Sequence, residues 1–310
     1  MIQRYSLNKK YDTVIGDFNL STGESVSINE KKIDGYIKKL GIEKAVNINV
    51  SKIRGELKTK YIGHKIYAFQ EVDSTNIIAK FLAGVGVEEG TIVIARSQIK
   101  GKGRRGKKWE SPLGGIWLSI IVHPEISPQQ ASLITLGAGV AVTKAIRKLG
   151  VDARIKWPND ILIGDKKISG ILTEANSKFH TLDYIVVGIG IDSNLDLNSI
   201  SKKTKIRATT LKDELKRNID ERILIKNLLE EFENIYEHFK NEDFEEILYE
   251  WRSLSQTIGS YVVIEQPFGK ILKGYVVGIN NQGSLILELD NGELKKVISG
   301  ESHITEISKI

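Results

Sequence analysis

Apolar and polar residues follow two different spacings along this chain, one typical of strands and one typical of helices. The runs 91–95 and 116–122 are almost continuously apolar, which predicts two buried strands. Apolar residues recur with a helical spacing over 130–149 and again over 225–239. Strands and helices mixed in this way predict an α+β domain over residues 51–255.

The pattern changes over residues 256–310, where apolar runs become short and evenly spaced. Asn291-Gly292 is a strong signal for a two-residue hairpin turn. The predicted strands cover residues 261–265, 271–279, 284–290 and 293–298. We expect a small antiparallel barrel in this part of the chain.

Residues 1–50 carry the weakest pattern. An amphipathic helix is predicted from Asn29 to Leu40, with Ile33 and Ile37 on its apolar side. We find no clear recognition helix followed by a wing, and the segment is short for a DNA-binding domain. We interpret it as an extension of uncertain role, either a docking segment or a degenerate DNA-binding segment.

Composition narrows the class of protein. The 310 residues include no cysteine, which excludes disulfides, thiolate nucleophiles and zinc–thiolate sites. The start of the chain lacks the apolar stretch of a signal peptide, and no apolar run reaches about 18 residues. We therefore expect a soluble, cytoplasmic protein without membrane contact.

Much of the formal net charge of +6 lies in a glycine-rich loop between the two predicted buried strands. The loop reads Gly-Lys-Gly-Arg-Arg-Gly over residues 101–106 and continues as Lys107-Lys108-Trp109. Glycines let backbone N–H groups approach a ligand, and the cations between them neutralise anions. The loop is therefore predicted to bind phosphate or carboxylate, and as a strand-to-strand crossing it is expected to move.

Three other interpretations of this loop compete. Its glycines match the dinucleotide pattern G-x-G-x-x-G, but Trp109 and Pro112 argue against the helix that this motif requires. It nearly matches a P-loop, yet Lys108 stands where a Ser or Thr would hold magnesium. The third interpretation is a solvated basic loop or a nucleic-acid contact.

Further motifs surround the loop in a fixed order. They are Asp73-Ser74-Thr75-Asn76 before it, and Lys156-Trp157-Pro158-Asn159-Asp160, Lys167-Ile168-Ser169-Gly170 and Gly188-Ile189-Gly190-Ile191-Asp192 after it. In this order the motifs closely resemble those of the biotin protein ligases. The similarity runs from about residue 50 to the C-terminus.

The resemblance implies a mixed-sheet, class II synthetase-like catalytic domain followed by an SH3-like C-terminal domain. It implies an ATP-dependent ligase that forms biotinyl-5'-AMP and transfers biotin to one lysine of a biotin carboxyl carrier protein. ATP, Mg²⁺ and biotin are the implied ligands, and homodimers are common among relatives. This reaction needs no enzyme nucleophile, which agrees with a chain that lacks cysteine.

The resemblance also implies the site, residue by residue. Lys167 and Arg104 are the implied catalytic residues. Biotin contacts are implied for Ser74, Thr75, Asn76, Gln98, Lys102, Gly103, Arg104 and Lys167. ATP contacts are implied for Arg104, Arg105, Asn159, Lys167, Gly188 and Asp192, with Mg²⁺ expected near Asn159 and Asp160.

Three positions depart from the family pattern. Lys102 stands where the family usually has Arg, so the charge is kept but the bidentate geometry is lost. Asp192 replaces an Asn, which removes an amide donor and adds a charge where adenine is expected. Thr305 stands where many relatives have Arg, so we carry over no ATP contact from the C-terminal domain.

Two alternative functions stay open. A lipoate or octanoate ligase shares the implied fold, although that family lacks the basic glycine loop. A biotin-sensing transcriptional repressor would bind DNA through residues 1–50, which their pattern does not lead us to expect.

Overall fold

The computed structural model describes residues 30–39, 41–45, 48–178 and 181–307. The helices are α1 (Glu30–Lys39), α2 (Val50–Glu56), α3 (Thr75–Gly84), α4 (Ala131–Arg147), α5 (Lys202–Lys205), α6 (Leu211–Leu215), α7 (Glu221–Lys240) and α8 (Phe244–Leu254). The strands of the first sheet are β1 (Ile66–Val72), β2 (Ile92–Gln98), β3 (Ile116–Val122), β4 (Ala153–Lys156), β5 (Asp160–Ile163), β6 (Lys166–Lys178) and β7 (Thr181–Ile191). Those of the second sheet are β8 (Ser260–Glu265), β9 (Ile271–Ile279), β10 (Leu285–Glu288), β11 (Leu294–Val297) and β12 (Glu301–Ile307).

The first sheet is mixed, as the sequence predicted. Its strand order is β1-β2-β3-β7-β6-β5-β4. Strands β1 and β2 are parallel, and every other neighbouring pair is antiparallel. The glycine-rich loop joins β2 to β3, which confirms that it crosses between two buried strands. The sheet therefore presents this loop at one of its ends.

Apolar side chains cover both faces of the sheet, because successive residues of a strand point to opposite sides. In β2, Ile92 and Ile94 belong to the core that contains α4, α7 and α8, while Val93 and Ala95 belong to the core around α3. Helix α7 confirms the apolar stripe predicted over 225–239. The sheet is thus held rigidly between two layers of helices.

Helix α1 confirms the amphipathic helix predicted in the N-terminal extension. Ile33 and Ile37 are buried in the core around α3. Asn29 and Leu40, the predicted ends of this helix, lie outside the described residues, as does most of the segment proposed for DNA binding or docking. Its role stays a prediction.

The second sheet confirms the small antiparallel β-domain at the C-terminus. Its strand order is β11-β10-β9-β8-β12, and all neighbours are antiparallel. The turn at Asn291-Gly292 joins β10 to β11, with a positive φ at Gly292. Strand β12 was not predicted. Helix α8 ends at Leu254 and β8 begins at Ser260, while the proposed domain limits of 51–255 and 256–310 stay predictions.

The turn between β4 and β5 ties the two sheets together. The indole Nε1 of Trp157 donates to the carbonyl of Gly283, and the hydroxyl of Ser302 donates to the carbonyl of Trp157. Trp157 is 2% exposed, so both hydrogen bonds are shielded from water. This turn carries Asn159, which places an expected ATP contact at the junction of the two sheets.

None of the described helices is both long and apolar enough to cross a membrane.

Candidate active site

One cavity of about 770 Å³ opens where the glycine loop, the β4–β5 turn and the ends of β6 and β7 meet the second sheet. All of the predicted site residues line it. They are Ser74, Thr75, Asn76, Gln98, Lys102, Gly103, Arg104, Arg105, Asn159, Asp160, Lys167, Gly188 and Asp192. Residues more than 100 positions apart in the sequence are thus brought together in one site.

Lys167 is held at the centre of the cavity. Its ammonium lies 2.5 Å from Oδ1 of Asp160 and 4.9 Å from the ring centroid of Trp109. The lysine is partly buried at the start of β6, and its backbone N–H donates to the carbonyl of Arg207. A cation fixed in this way can face an anion inside the cavity without first having to be ordered.

Lys156 is a second cation beside the same carboxylate, and its motif did not indicate that it is a site residue. Its ammonium lies 4.0 Å from Oδ2 of Asp160. Burial lowers the pKa of Lys156, and the nearby positive charge of Lys167 acts in the same direction. The two lysines therefore share one carboxylate, which leaves an excess of positive charge facing the cavity.

Arg104 adds a third cation from the glycine loop. Its Nη1 donates to Oδ1 of Asn159 at 3.1 Å and to the carbonyl of Gly300 at 3.3 Å. Burial lowers the pKa of its guanidinium, while the charge of Asp160 raises it. Arg104 thus links the glycine loop to both the β4–β5 turn and the second sheet.

The loop is closed over the cavity and rests on the C-terminal domain. Arg105 donates to the carbonyl of Glu265, and Lys107 forms an ion pair with Glu301. Within the loop, the N–H of Gly103 donates to the carbonyl of Lys107. Movement of the loop stays a prediction, whereas its contacts with β8 and β12 were not foreseen.

A network of uncharged polar groups lines the other end of the cavity. Gln98 accepts from the N–H of Thr75 at 2.8 Å and donates to the hydroxyl of Ser111. Ser119 donates to Oδ1 of Asn76 at 2.7 Å or to the hydroxyl of Thr75 at 2.8 Å. These side chains are held in fixed orientations, so they can offer directional hydrogen bonds to a neutral polar ligand.

Ser74 begins helix α3, but it caps the helix only through its backbone. It is the N-cap residue with extended φ and ψ, and its hydroxyl makes no capping hydrogen bond. The carboxylate of Asp73 instead pairs with Lys100 at 3.0 Å. The side chain of Ser74 therefore remains available to the cavity that it lines.

Glycines form the floor of the cavity. Side chains of other residues occupy the space directly above these glycines, which leaves no room for a Cβ. A Cβ at Gly188 would lie 2.1 Å from Oδ1 of Asn76, and a Cβ at Gly190 would lie 2.5 Å from Nε1 of Trp109. From the sequence, Trp109 was expected only to prevent a helix after the glycine loop. The structure shows that its ring covers this floor.

The three departures from the family pattern lie in different surroundings. Lys102 is exposed at the cavity rim, and Asp192 is buried in the cavity wall. Thr305 lies on β12, and its hydroxyl donates to the carbonyl of Tyr261. Thr305 is not among the residues that line the cavity. The second sheet reaches the cavity instead through Gly300 to Ser302.

A mixed sheet that holds cations and a neutral polar network in one cavity, followed by a small β-domain, defines a class of protein. Residues 68–192 match the family described as Biotin/lipoate A/B protein ligase family. Residues 257–301 match the Biotin protein ligase C terminal domain. Together they support the class that the fold suggests, a protein ligase of the biotin and lipoate type.

Individual relatives show which family within this class the chain belongs to. The bifunctional ligase/repressor BirA of Bacillus subtilis is 34% identical over 283 residues, covering 88% of this chain and 86% of the relative. The biotin–[acetyl-CoA-carboxylase] ligase of Mycobacterium tuberculosis is 30% identical, covering 71% of this chain and 81% of the relative. The chain therefore belongs to the biotin protein ligase family, and it is a ligase.

A solved structure agrees with this assignment. The biotin protein ligase of Aquifex aeolicus, solved in complex with biotin and ATP, superposes with a TM-score of 0.66 at 29% identity. The match covers 78% of this chain and 99% of that protein.

Proposed function

We propose that this protein activates biotin with ATP to biotinyl-5'-AMP and transfers biotin to a lysine of a biotin carboxyl carrier protein. The observation that carries the proposal is the division of one cavity into a cationic part and an uncharged polar part. Arg104, Lys156 and Lys167 line the first part, and Asn76 and Gln98 line the second. Biotin has a neutral ureido ring at one end and a carboxylate at the other, which matches this division.

The adenylation step brings two negatively charged groups together, since the biotin carboxylate attacks the α-phosphorus of ATP. Positive charge must offset their repulsion, and it is most effective where it is already in position. Lys167 is fixed by Asp160, and Arg104 is fixed by Asn159. We infer that these two cations contact the carboxylate and the α-phosphate, and that Lys156 faces the phosphates that leave as pyrophosphate.

Mg²⁺ is expected to accompany ATP. The amide oxygen of Asn159 and the carboxylate of Asp160 are oxygen donors of the kind that Mg²⁺ prefers, and both line the cavity beside the cations. These residues would hold the ion, which would neutralise charge on the pyrophosphate.

Transfer requires that the mixed anhydride survive until the carrier lysine attacks it. The loop lies closed over the cavity through Arg104 and Arg105, which contact the carbonyls of Gly300 and Glu265. We infer that this closure excludes water from the adenylate. The carrier lysine then displaces AMP and forms the amide.

The experiment is incubation with biotin, ATP and Mg²⁺, followed by mass spectrometry for biotinyl-adenylate. A second incubation adds a biotin carboxyl carrier domain and looks for a biotinyl mass on its lysine. If neither product forms, the proposal is wrong. Adding biotin and lipoate in competition separates biotin ligation from ligation of lipoate or octanoate.

A repressor function is a second candidate, because similar relatives are bifunctional ligase/repressors and their similarity covers most of this chain. It would require DNA binding by residues 1–50. A gel mobility shift with promoter DNA, compared between the full chain and a chain lacking those residues, tests it. Equal binding by both proteins would argue against this function.

A further inference from the structure

A second cavity, of about 380 Å³, opens between α2, the end of β2, the start of β3 and the first turn of α7. Ile94 and Ile116, which line it, belong to the core on the α7 side of the first sheet. Helix α3, which carries the site residues Thr75 and Asn76, packs on the other side. The described linings of the two cavities have no residue in common, so this is a separate site.

Much of the wall of this cavity is apolar. Five of its six apolar residues are buried, and the sixth is half-buried. A carbon chain or ring that enters the cavity would therefore leave water and contact aliphatic side chains. The six residues are Ile48, Ile53, Ile94, Ala95, Ile116 and Ile225.

The charged residues of the lining are mostly cations. Lys52, Arg96 and Arg222 line the cavity together with one carboxylate, that of Glu221. The guanidinium of Arg222 is already paired, since its Nη2 lies 2.6 Å from Oδ2 of Asp220. Lys52 is exposed, so its ammonium lies where a ligand can reach it. The lining thus carries more positive than negative charge.

Arg96 is the cation in this lining that most needs an anion. It follows Ile94 by two residues on β2, so both side chains point to the same face of the strand. Its guanidinium is half-buried, and no described residue forms a hydrogen bond or an ion pair with it. A partly buried charge without a partner is unfavourable, and an anion in the cavity would supply that partner.

The wall opposite the isoleucines is already held in place. The hydroxyl of Ser193 lies 2.6 Å from Oε1 of Glu221 and 2.9 Å from the carbonyl oxygen of Gly114. The backbone N–H of Asn194 donates to the same carbonyl at 2.6 Å. Two lining residues, Gly114 and Glu221, are thus linked through one segment. A preformed wall lowers the cost of ordering that a ligand would otherwise meet.

We propose that this cavity binds a monocarboxylate with a compact apolar body. The carboxylate pairs with the guanidinium of Arg96, near the ammonium of Lys52, and the body lies against the isoleucines. Arginine presents parallel N–H donors that match the two oxygens of a carboxylate. A doubly charged phosphate is disfavoured, because the apolar wall removes its hydration and the carboxylate of Glu221 repels it. This site goes beyond the proposed function and does not depend on it.

The test is a titration of the full chain with hexanoate, followed through backbone amide resonances by NMR. The resonances of Gly115 and Ile116 should shift, with a Kd on the order of 1 mM for a ligand of this size. Hexanamide has nearly the same shape without the charge, and it should bind at least about tenfold more weakly. Biotin is present at saturation, and Gly103 and Gly188 report separately on the active-site cavity.

The variant R96Q should weaken hexanoate binding at least about tenfold. R54Q is the matched control, because Arg54 is exposed on α2 and does not line the cavity, so it should keep the wild-type Kd. Thermal unfolding shows whether R96Q is folded, and the comparison of hexanoate with hexanamide needs no variant.

Three results would overturn the inference. They are equal Kd values for hexanoate and hexanamide, an R96Q variant with the wild-type Kd, and an absence of shifts at Gly115 and Ile116, including shifts confined to Gly103 and Gly188. A protein that binds hexanoate through Arg96 but makes no biotinyl-adenylate would refute the proposed function and leave this site standing.

Discussion

Adding one methyl group to the floor of the cavity should weaken nucleotide binding without unfolding the protein. In Gly190→Ala the new Cβ would lie 2.5 Å from Nε1 of Trp109 and 2.7 Å from Cε2 of the same ring. Ordinary contact begins at 3.4 Å, so the ring would have to move by about 1 Å. The backbone N–H of Trp109 donates to the carbonyl of Gly101, so this movement would disturb the glycine loop.

The size of the effect follows from the cost of overpacking. Forcing an added methyl group into a packed site typically costs about 1–3 kcal/mol. If this cost falls on the closed loop and therefore on ligand binding, it corresponds to a loss of about 5- to 150-fold in affinity. We expect an increase of that size in the KM for ATP. Because the ring moves toward the cavity and not into the core, the melting temperature should change little.

Gly278→Ala is the matched control, because Gly278 also lies in a strand and a Cβ there would have no atom within 4 Å. The assay compares the KM for ATP in biotinyl-adenylate formation, with thermal unfolding measured alongside. If both variants agree within about twofold in KM, Trp109 does not need to lie on this floor for nucleotide binding. That result would refute the reasoning from the geometry of Gly190.

Three further predictions follow from the site. Lys167→Gln should slow biotinyl-adenylate formation by at least about 100-fold, while K166Q at its exposed neighbour should not, as measured by mass spectrometry. Arg104→Ala should release adenylate into solution, because the loop loses its contacts with Asn159 and Gly300; a variant that retains all of its adenylate contradicts this. Because it is buried, Asp192 binds its proton more tightly in the folded state, with a pKa of about 8 against 3.8. Wild-type stability should therefore fall by a few kcal/mol relative to D192N as the pH rises from about 4 to 8, and unchanged differences in melting temperature between pH 5 and pH 8 would refute this.

Much of the fold could be predicted because local signals agree with the tertiary structure. The apolar stripe over 225–239 became α7, and the turn at Asn291-Gly292 joins two strands as expected. Both signals depend on residues that are close in sequence. They could therefore be recognised without knowing which other elements pack against them. Strand β12 was missed because its apolar residues, Ile304 and Ile307, are three positions apart and do not show the two-residue alternation of a strand.

The members of the site could be predicted from motifs, but their partners could not. Asp160 and Lys167 are seven residues apart, and the motifs that contain them gave no sign that they form an ion pair. The contact of Lys107 with Glu301 joins residues separated by 194 positions. Such contacts depend on how the second sheet is placed against the first, which spacing within a motif does not encode.

Lys156 was missed for a related reason. Its sequence context resembles an ordinary strand, and only the return of β6 beside β5 places Lys167 next to the same carboxylate. Burial lowers the pKa of Lys156, and repulsion between the two lysines on one aspartate acts in the same direction. Such repulsion destabilises the empty site, and a bound anion relieves it. The arrangement is therefore unfavourable without ligand and becomes favourable when a carboxylate and a phosphate are both bound. Adenylation requires this charge distribution.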